Sequence, residues 1–510
     1  MAGMFGGGEA ASTLVVAFGL SCVGAAVESS WAAGESTVQP YLIFLGVLPS
    51  YATLIWLANP MLGLAMTLVA SARNDKQGDV ADGDDNKSSN NNDGNGLEHF
   101  ANSAGDRARS REKKIKGMRR QFGARTLTLL GLFALGLGGQ LLLASSYTFR
   151  KAAAAAFIAY AVTDAAHDAM LVVARAQLMS LVDVSRLSSQ SVNAMLSVVQ
   201  MMGRCVALAM GTFSIEKTIP AWVKSYIGSC HDERCEHMQA LILYASAFLC
   251  VCYIAYVAAA IGVYRSLLSS DDEERTYLME KKQPLQAKER QASSASAWSI
   301  FIAHSSIICL ACIQFSGWIG LMASLFFWTI WIGEEETTAF FGVKLRTAFL
   351  GLAVQSAMSL GTAIALPALN RLGTRTVYFA FETLFGFLLV ALYLMGPRWS
   401  VAISFFLGPC YAVHVNNPFV LLSSLSAQQG GIFRQRRDTI VAIVSAAMPV
   451  AQVIVAVASG YIVSAFGNDY SVIMGISGLL VVATMAMTLP FARRWLPNPT
   501  GTAVAVVFSR

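Results

Sequence analysis

Charged residues are scarce in this chain. Asp, Glu, Lys and Arg together make up 13% of its 510 residues, below the roughly 25% that is typical of soluble domains. Hydrophobic residues make up 55%, and the mean hydropathy is +0.53. So little charge argues against a soluble protein, and we interpret the chain as a polytopic membrane protein.

Motifs for catalysis and cofactor binding are also missing. The sequence has no nucleophile elbow, no phosphate-binding loop and no cluster of metal ligands. We therefore expect neither an enzyme nor a bound cofactor or metal. The formal net charge of +6 does not indicate nucleic-acid binding, because the Lys and Arg residues are concentrated in particular loops.

The nine cysteines lie mostly in apolar segments. Cys309 and Cys312 have the CxxC spacing, but their neighbours are Ile, Leu and Ala, which favours apolar packing over a metal site. Cys230 and Cys235 lie in a polar loop. They form a disulfide if the compartment is oxidising, and otherwise remain two free thiols.

Apolar runs of about 20 residues, the length that crosses a bilayer as a helix, recur along the chain. They predict an all-α membrane fold of about twelve transmembrane helices. The approximate spans are 12–33, 49–71, 125–146, 152–181, 191–214, 239–265, 298–329, 346–368, 374–395, 400–424, 439–464 and 471–493.

Basic residues set the predicted topology. They cluster in the 73–125, 266–297 and 425–438 loops, which fall on one side of the membrane if twelve helices alternate. The positive-inside rule makes that side cytosolic, together with both termini. Residues 73–118 form a predicted disordered cytosolic insert, since their first part is rich in Asp, Asn, Gly and Ser. The membrane is the plasma membrane or that of an acidic organelle.

A short repeat divides the chain into two halves. Gly123-Ala124-Arg125-Thr126 opens the third span and Gly373-Thr374-Arg375-Thr376 opens the ninth, an offset of 250 residues. We predict an N-terminal six-helix bundle at 1–265, a cytosolic linker at 266–297 and a C-terminal six-helix bundle at 298–510. Two pseudo-symmetric six-helix bundles are the layout of the major facilitator fold, with the substrate site between them near the midplane.

Four ionisable residues lie in the fourth span, namely Asp164, His167, Asp168 and Arg175. A charge at the bilayer centre costs about 3 kcal/mol even on mild scales, so such residues usually face a polar cavity. Asp164, Asp168 and Arg175 fall on nearly the same helix face and form a line about 16 Å long. This pattern indicates a path for a proton or a solute.

Each of these residues also has a structural interpretation. Asp164 is a candidate coupling carboxylate, since burial favours a proton on an acid; alternatively it forms a fixed ion pair with Arg175 or Arg204. Asp168 could share the coupling role. His167 is a candidate substrate ligand, but it points about 100° away from Asp168 and could instead pack between helices. Arg175 could change partners or guard the inner gate, or it could snorkel to the membrane surface.

Glu28, Trp31 and Glu35 share one face of the first predicted helix. Carboxylates bind sugar hydroxyls, and an aromatic ring packs against the apolar face of a pyranose, so these residues are candidate substrate ligands. Alternatively, Glu35 and Trp31 lie at the water interface. Arg204, in the middle of the fifth span, forms either a fixed ion pair or a substrate contact.

Polar residues beside Pro418 interrupt the tenth span. Asn416, Asn417 and His414 could line a cavity, or they could repair the backbone hydrogen bonds that Pro418 breaks. Glu382 in the ninth span and Gln355 in the eighth are further candidates for contact with the substrate.

Taken in order, local patterns along the chain resemble those of the plant sucrose–proton symporters and the wider glycoside–pentoside–hexuronide cation symporters of the major facilitator superfamily. The resemblance covers nearly the whole chain outside the two polar loops. It is carried by Trp31, Pro40-Tyr41, Leu54-Ile55-Trp56-Leu57 with Pro60 and Gly63, Asp164 with Arg175-Ala176, Asn193-Ala194, Trp318, Trp331, Gly333-Glu334-Glu335, Leu350-Gly351-Leu352, Pro418 with Ser423-Ser424, the 449–455 stretch and Gly460.

The resemblance implies a secondary active transporter of a sugar or glycoside, driven by proton symport with alternating access. It adds Trp318 and Glu335 to the candidate substrate ligands and Asp164 and Arg175 to the coupling residues. The chain departs from the family pattern at Pro49, Ile330 and Glu334, where the family has a His nearby, an acid and a base. Altered substrate or lost coupling would follow.

Alternative functions remain open from the sequence. They are a facilitator or exporter of another small polar solute, and a non-transporting membrane sensor. The expected partners are the solute, a proton and the lipid bilayer, and we expect the protein to be a monomer that binds no nucleic acid.

Overall fold

The computed structural model describes residues 8–57, 60, 98–149, 151–182, 189–228, 233–273, 305–334, 344–429 and 444–498. Across these ranges the chain is helical, with short turns and no β-strand. The α-helices are α1 (Gly8–Phe44), α2 (Pro49–Ala52), α3 (Glu98–Ser145), α4 (Ala152–Val182), α5 (Ser189–Met210), α6 (Ala221–Ile227), α7 (Glu233–Glu273), α8 (Ser305–Glu334), α9 (Lys344–Leu369), α10 (Thr374–Met395), α11 (Ser400–Gln429), α12 (Ala447–Ala465) and α13 (Ser471–Trp495).

Ten of these helices are long and apolar enough to cross a membrane, namely α1, α3, α4 and α7 to α13. In addition, α5 contains a shorter apolar segment, Met195–Met210. A helix satisfies every backbone hydrogen bond within one segment, which is what a lipid environment requires. The prediction of an all-α membrane fold is confirmed. Only residues 49–57 and 60 of the predicted second span are described.

Two helices extend beyond their predicted limits. The first span was predicted to end near residue 33, but α1 continues through Pro40 to Phe44, which keeps Glu35 in the same helix as Glu28. Disorder was predicted up to residue 118, but α3 begins at Glu98. Its first part is rich in Ala, Arg, Lys and Glu, which have high helix propensity. The rest of the insert lies outside the described residues.

Each half of the chain packs around its own helices. In the first half α1 packs against α4, α5 and α7, and α3 packs against α4. In the second half α9 packs against α11, α10 against α11 and α13, and α8 against α12 and α13.

Contacts between the halves are concentrated on a few elements. Helix α5 packs against α9, α1 against α8, and residues 53–57 against α12. The rings of Trp56 and Phe326 are parallel, with centroids 4.0 Å apart. We call the end of the molecule that carries Trp56, Glu216 and Arg346 the closed end.

The cysteine predictions can be checked in part. Cys235 is disulfide-bonded, which selects the first of the two alternatives for this residue. Its expected partner Cys230 lies outside the described residues. Cys309 and Cys312 are free thiols.

Candidate functional site

Arg204 joins two acids of α1. Its Nη1 donates to Oε1 of Glu28 at 3.1 Å, and its Nη2 donates to Oε2 of Glu35 at 2.9 Å. Arg204 and Glu28 are buried and Glu35 is half-buried. The two acids are seven residues apart, which is two helical turns, so one guanidinium can reach both. We call these three residues the Arg204 clamp.

A glycine brings the two helices together at this point. A Cβ on Gly203 would overlap the carbonyl oxygen of Ala25. The backbones of α5 and α1 therefore pass each other with no side chain between them, as small residues allow in membrane helices. This close approach carries the neighbouring Arg204 to the acids of α1.

The clamp lies at the interface between the two halves. The guanidinium carbon of Arg204 is 5.9 Å from the centroid of the Tyr411 ring in α11, within the range of a cation–π contact. With both acids ionised, two negative charges face the positive charge of Arg204, and Arg175 of α4 adds a weaker attraction at Glu28. Since a buried charge needs a partner, the excess carboxylate can accept a hydrogen bond or a proton.

Asp164 lies in a separate cavity inside the first half. The cavity has a volume of about 10 Å³, enough for about one water molecule. It lies between α1, α3, α4 and α7, and its polar lining residues are Ser30, Trp31, Gln140, Tyr160, Thr163, Asp164 and His167. A polar, water-sized space around a buried acid can pass a proton, but it cannot hold a sugar.

His167 faces the same cavity as Asp164. It is fully buried, and neither ring nitrogen has a hydrogen-bond partner in the part of the chain that the structure describes. The helix α3 fits against the ring at Gly136, where a Cβ would lie 3.1 Å from Nε2. His167 therefore packs between helices and lines the cavity, and both of its ring nitrogens are unpaired among the described residues.

The other predicted residues of α4 are less enclosed. Asp168 is half-buried one turn after Asp164, and Arg175 is exposed near the end of α4. Arg204, one predicted partner of Asp164, instead uses both terminal nitrogens on Glu28 and Glu35.

A second acid–base pair lies in the second half. Nδ1 of His414 is 2.6 Å from Oε1 of Glu382. The Trp318 ring meets the His414 ring edge-on, with centroids 4.9 Å apart. Three residues predicted separately as substrate ligands are thus brought together between α8, α10 and α11.

The asparagines near Pro418 are occupied by other contacts. Asn416 donates to the Ala412 carbonyl of its own helix at 2.7 Å. Asn417 and Asn370 donate to each other, both at 3.2 Å. The carbonyl of His414, which Pro418 leaves without its helical donor, instead accepts from the Gln314 side chain at 3.0 Å. The replacement donor comes from α8, and no local pattern in the sequence marks it.

Two predicted ligands remain. Gln355 is buried where α9 packs against α11. A Cβ on Gly408 of α11 would overlap the carbonyl oxygen of Gln355. Glu335 lies outside the described residues.

A charged network at the closed end was not foreseen. Arg346 of α9 donates to Glu216 at 3.0 Å and lies 3.6 Å from Glu233. Glu216 also lies 2.9 Å from Nδ1 of His237, whose Nε2 is 2.9 Å from the Gly211 carbonyl. These contacts tie α9 of the second half to the segment between α5 and α7 of the first. Their only signal in the sequence is a mixture of acidic and basic residues around 215–238 and 333–346.

The charge state of this network follows from its contacts. Burial acts to raise the pKa of Glu216, but the His237 hydrogen bond and the charges of His237 and Arg346 outweigh burial and bring that pKa below its usual value. Both contacts of the His237 ring are to acceptor oxygens when Glu216 is ionised.

No family model and no curated protein matches the sequence. Among solved structures, the chain is similar to the nucleoside transporter NupG, with 10% identity over 93% of this chain and 98% of that one, at a TM-score of 0.59. It is also similar to the inward-open xylose transporter XylE from E. coli, with 13% identity over 96% and 97% of the two chains, at a TM-score of 0.52. At these identities the likeness concerns the fold: this chain has the all-helical membrane fold of the major facilitator transporters.

Proposed function

We propose that the protein is a proton-coupled secondary transporter of a sugar or a sugar-containing solute. The observation that carries the proposal is the Arg204 clamp, with two acids of α1 and one base of α5 buried beside Tyr411 of the other half. A substrate site of a transporter with this fold lies between the halves. Structural ion pairs alone would not require a second acid.

The clamp has the chemistry to bind hydroxyl groups. Glu28 and Glu35 offer carboxylate oxygens that accept from hydroxyls, and Arg204 offers donors. Tyr411 provides an aromatic face at the same place. The solved structures with this fold are named for a nucleoside and for xylose. A nucleoside contains a pentose and xylose is one, which supports a solute with several ring hydroxyls.

The proton site would be Asp164, with His167 beside it. Trp31 and Asp164 line the same cavity. Trp31 is on α1, between Glu28 and Glu35 in sequence. A proton on Asp164 would remove a negative charge near Glu35. The affinity of the clamp for its solute would change as a result. Asp168 and the exposed Arg175 would complete the route towards the end of α4.

The cavity is also connected to the closed end. Tyr160 of the cavity wall meets Trp56 edge-on, with centroids 5.8 Å apart, and Trp56 stacks on Phe326 of the second half. We assign the closed end to the extracytosolic side, since the basic loops and both termini are predicted to be cytosolic. The conformation would then be closed to the outside, one state of an alternating-access cycle.

In this scheme two six-helix bundles, 1–265 and 298–510, rock about the clamp, joined by the 266–297 linker. The protein would act as a monomer in the plasma membrane or in the membrane of an acidic organelle.

Uptake into proteoliposomes tests the proposal. Purified protein would be given labelled sucrose, xylose or uridine with an imposed inward proton gradient. We expect the gradient to drive accumulation of at least one solute. Asp164→Asn should abolish accumulation, and Asp469→Asn should not. Asp469→Asn is the same substitution outside the candidate site. Asp469 accepts a hydrogen bond from the Ser471 backbone at the start of α13, a position that Asn also fills well.

Three other results would each point elsewhere. Uptake that ignores the gradient in the wild type would indicate a facilitator. Efflux alone would indicate an exporter. A wild type that moves none of these solutes would argue against the sugar assignment and favour a sensor, for which the long loops rather than Asp164 should be essential.

A further inference from the structure

The second half buries an acid–base pair that the Asp164 route does not use. The contact between His414 Nδ1 and Glu382 Oε1 is 2.6 Å, and the two side chains are 2% and 1% exposed. Among the described residues neither forms another ion pair. The pair lies among spanning helices, where an unbalanced charge is expensive.

Among the described residues, the surroundings of the pair carry no compensating charge. Tyr378 on α10 and Cys410 on α11 lie near Glu382, and Cys309 on α8 lies near Tyr378. All three side chains are neutral in their ordinary state. On α8, Gly317 leaves room for both members, because a Cβ there would overlap the imidazole and come within 2.9 Å of Oε2 of Glu382.

Proton counting then fixes the favoured state. A neutral imidazole with an ionised carboxylate has a net charge of −1, and one added proton makes the pair neutral, either as imidazolium with carboxylate or as imidazole with carboxylic acid. Burial among apolar groups favours the neutral, proton-loaded pair. Contact with water in another conformation would favour release of the proton.

The pair also has unused hydrogen-bonding atoms. Within the described ranges, Oε2 of Glu382, Nε2 of His414 and the Tyr378 hydroxyl have no hydrogen-bond partner. Buried polar atoms are normally paired, so unused atoms on three adjacent groups mark a place that a proton or water can enter. A purely structural ion pair would be expected to have its outer atoms satisfied.

A buried histidine occurs at a similar position in each half. His414 and His167 are 247 residues apart, close to the 250-residue offset of the repeated motif. Each is buried near a Trp of the first long helix of its half, Trp318 or Trp31. Each also has an acid beside it, Glu382 or Asp164.

We propose that the Glu382–His414 pair is a second proton-binding site, which loads one proton in the second half independently of Asp164. This inference rests on the proposed proton-coupled transport. It assigns Glu382 and His414 to the coupling ion instead of to the solute.

The protonation of His414 can be read without any solute. In the imidazolium–carboxylate form both ring nitrogens carry a hydrogen, and in the unloaded form Nε2 is bare while Glu382 is ionised. Nitrogen NMR of labelled histidine in nanodiscs distinguishes these states, and the six histidines of the chain can be assigned by single substitutions. A proton held on Glu382 instead is seen as the carboxylic-acid carbonyl stretch in infrared spectra. We expect the wild-type pair to hold this proton on the ring or on Glu382.

Substitution of the partner tests whether the pair acts as a unit. Glu382→Gln should leave the His414 ring neutral, because the carboxylate that favours the charged ring is gone. Glu236→Gln makes the same change at a half-exposed pair with Lys224 and should leave the His414 ring as in the wild type. A wild-type pair with a neutral ring and an ionised Glu382, or a charged ring that persists in Glu382→Gln, would overturn the inference.

Flux measurements separate this site from the proposed function. Protons and labelled solute would be counted together in proteoliposomes, using whichever of sucrose, xylose or uridine the wild type accumulates. The double variant Glu382→Gln/His414→Gln keeps a hydrogen-bonded pair without a titrating group. We expect it to carry about one proton fewer per solute than wild type.

Two outcomes would refute different claims. If the double variant keeps the wild-type ratio while Asp164→Asn lowers it, coupling stands and the pair is structural. If the wild type moves solute without any protons, the proposed coupling itself fails, and the second proton site fails with it.

Discussion

Gly203 of α5 lies directly against Ala25 of α1, so close that a single added carbon would overlap the Ala25 carbonyl oxygen. The next residue, Arg204, reaches two acids of α1 only because the helices meet here. The identity of a residue that makes no polar contact therefore decides the geometry of the charged clamp.

The first prediction concerns this contact. Gly203→Leu should separate α5 from α1, destabilise the protein by about 1–3 kcal/mol or more and abolish uptake, since Arg204 would no longer reach both acids. Thermal unfolding in detergent and proteoliposome uptake measure the two effects. Gly138→Leu is the matched control, because no atom lies within 4 Å of an added Cβ there. Equal behaviour of the two variants would refute the argument.

The second prediction separates binding from folding at the clamp. Arg204→Met leaves Glu28 and Glu35 without their cation, and loss of one partner of a buried pair costs about 3–5 kcal/mol. The triple variant Glu28→Gln/Glu35→Gln/Arg204→Met should regain thermal stability but not uptake. Arg398→Met, at an exposed arginine, should change neither. Uptake restored in the triple variant would show that the clamp is only structural.

The third prediction concerns pH at the closed end. The pKa of Glu216 is lowered in the folded protein, so its contribution is fully present above the unfolded value of about 4.3. It is lost as the pH falls through the lower folded value. The contacts of the closed end should therefore persist at neutral and mildly acidic pH. Protonation of Glu216 should weaken these contacts only below about pH 4.

Glu216→Gln imitates that protonated form at neutral pH. It should increase amide hydrogen exchange in the segment after α5 and at the start of α9, since Arg346 and His237 lose their shared anion. Glu236→Gln, at a half-exposed pair worth about 0–1 kcal/mol, serves as the control. Unchanged exchange in Glu216→Gln would mean that aromatic packing alone holds this end closed.

The fourth prediction concerns Gln314. Its side chain donates to the His414 carbonyl, which Pro418 deprives of a backbone donor. Gln314→Leu should cost about 1–3 kcal/mol, the penalty for a buried acceptor left unpaired. Addition of Pro418→Ala restores a backbone N–H and should recover most of that loss in a thermal unfolding measurement. A double variant no more stable than Gln314→Leu would rule out this account of the contact.

The sequence located the chemistry well on single helices. Helical periodicity put Glu28, Trp31 and Glu35 on one face, and in the structure all three face the clamp or the Asp164 cavity. It marked Asp164 and His167 as intramembrane groups, and they line one cavity. It did not reveal Tyr411, Gln140 or the closed-end network, because these act only through partners on other helices.

The sequence by itself determined which segments cross the membrane and which residues share a helix face, since apolar length and a period of 3.6 residues are local properties. The tertiary structure alone decided which charges meet. Arg204 pairs with acids 169 and 176 positions away, and His414 pairs with Glu382 rather than with a group on its own helix. In lipid, helices associate through close packing at small residues instead of through burial of apolar surface. A glycine such as Gly203 therefore determines which helix packs against α5, which the apolar pattern of the sequence leaves undetermined.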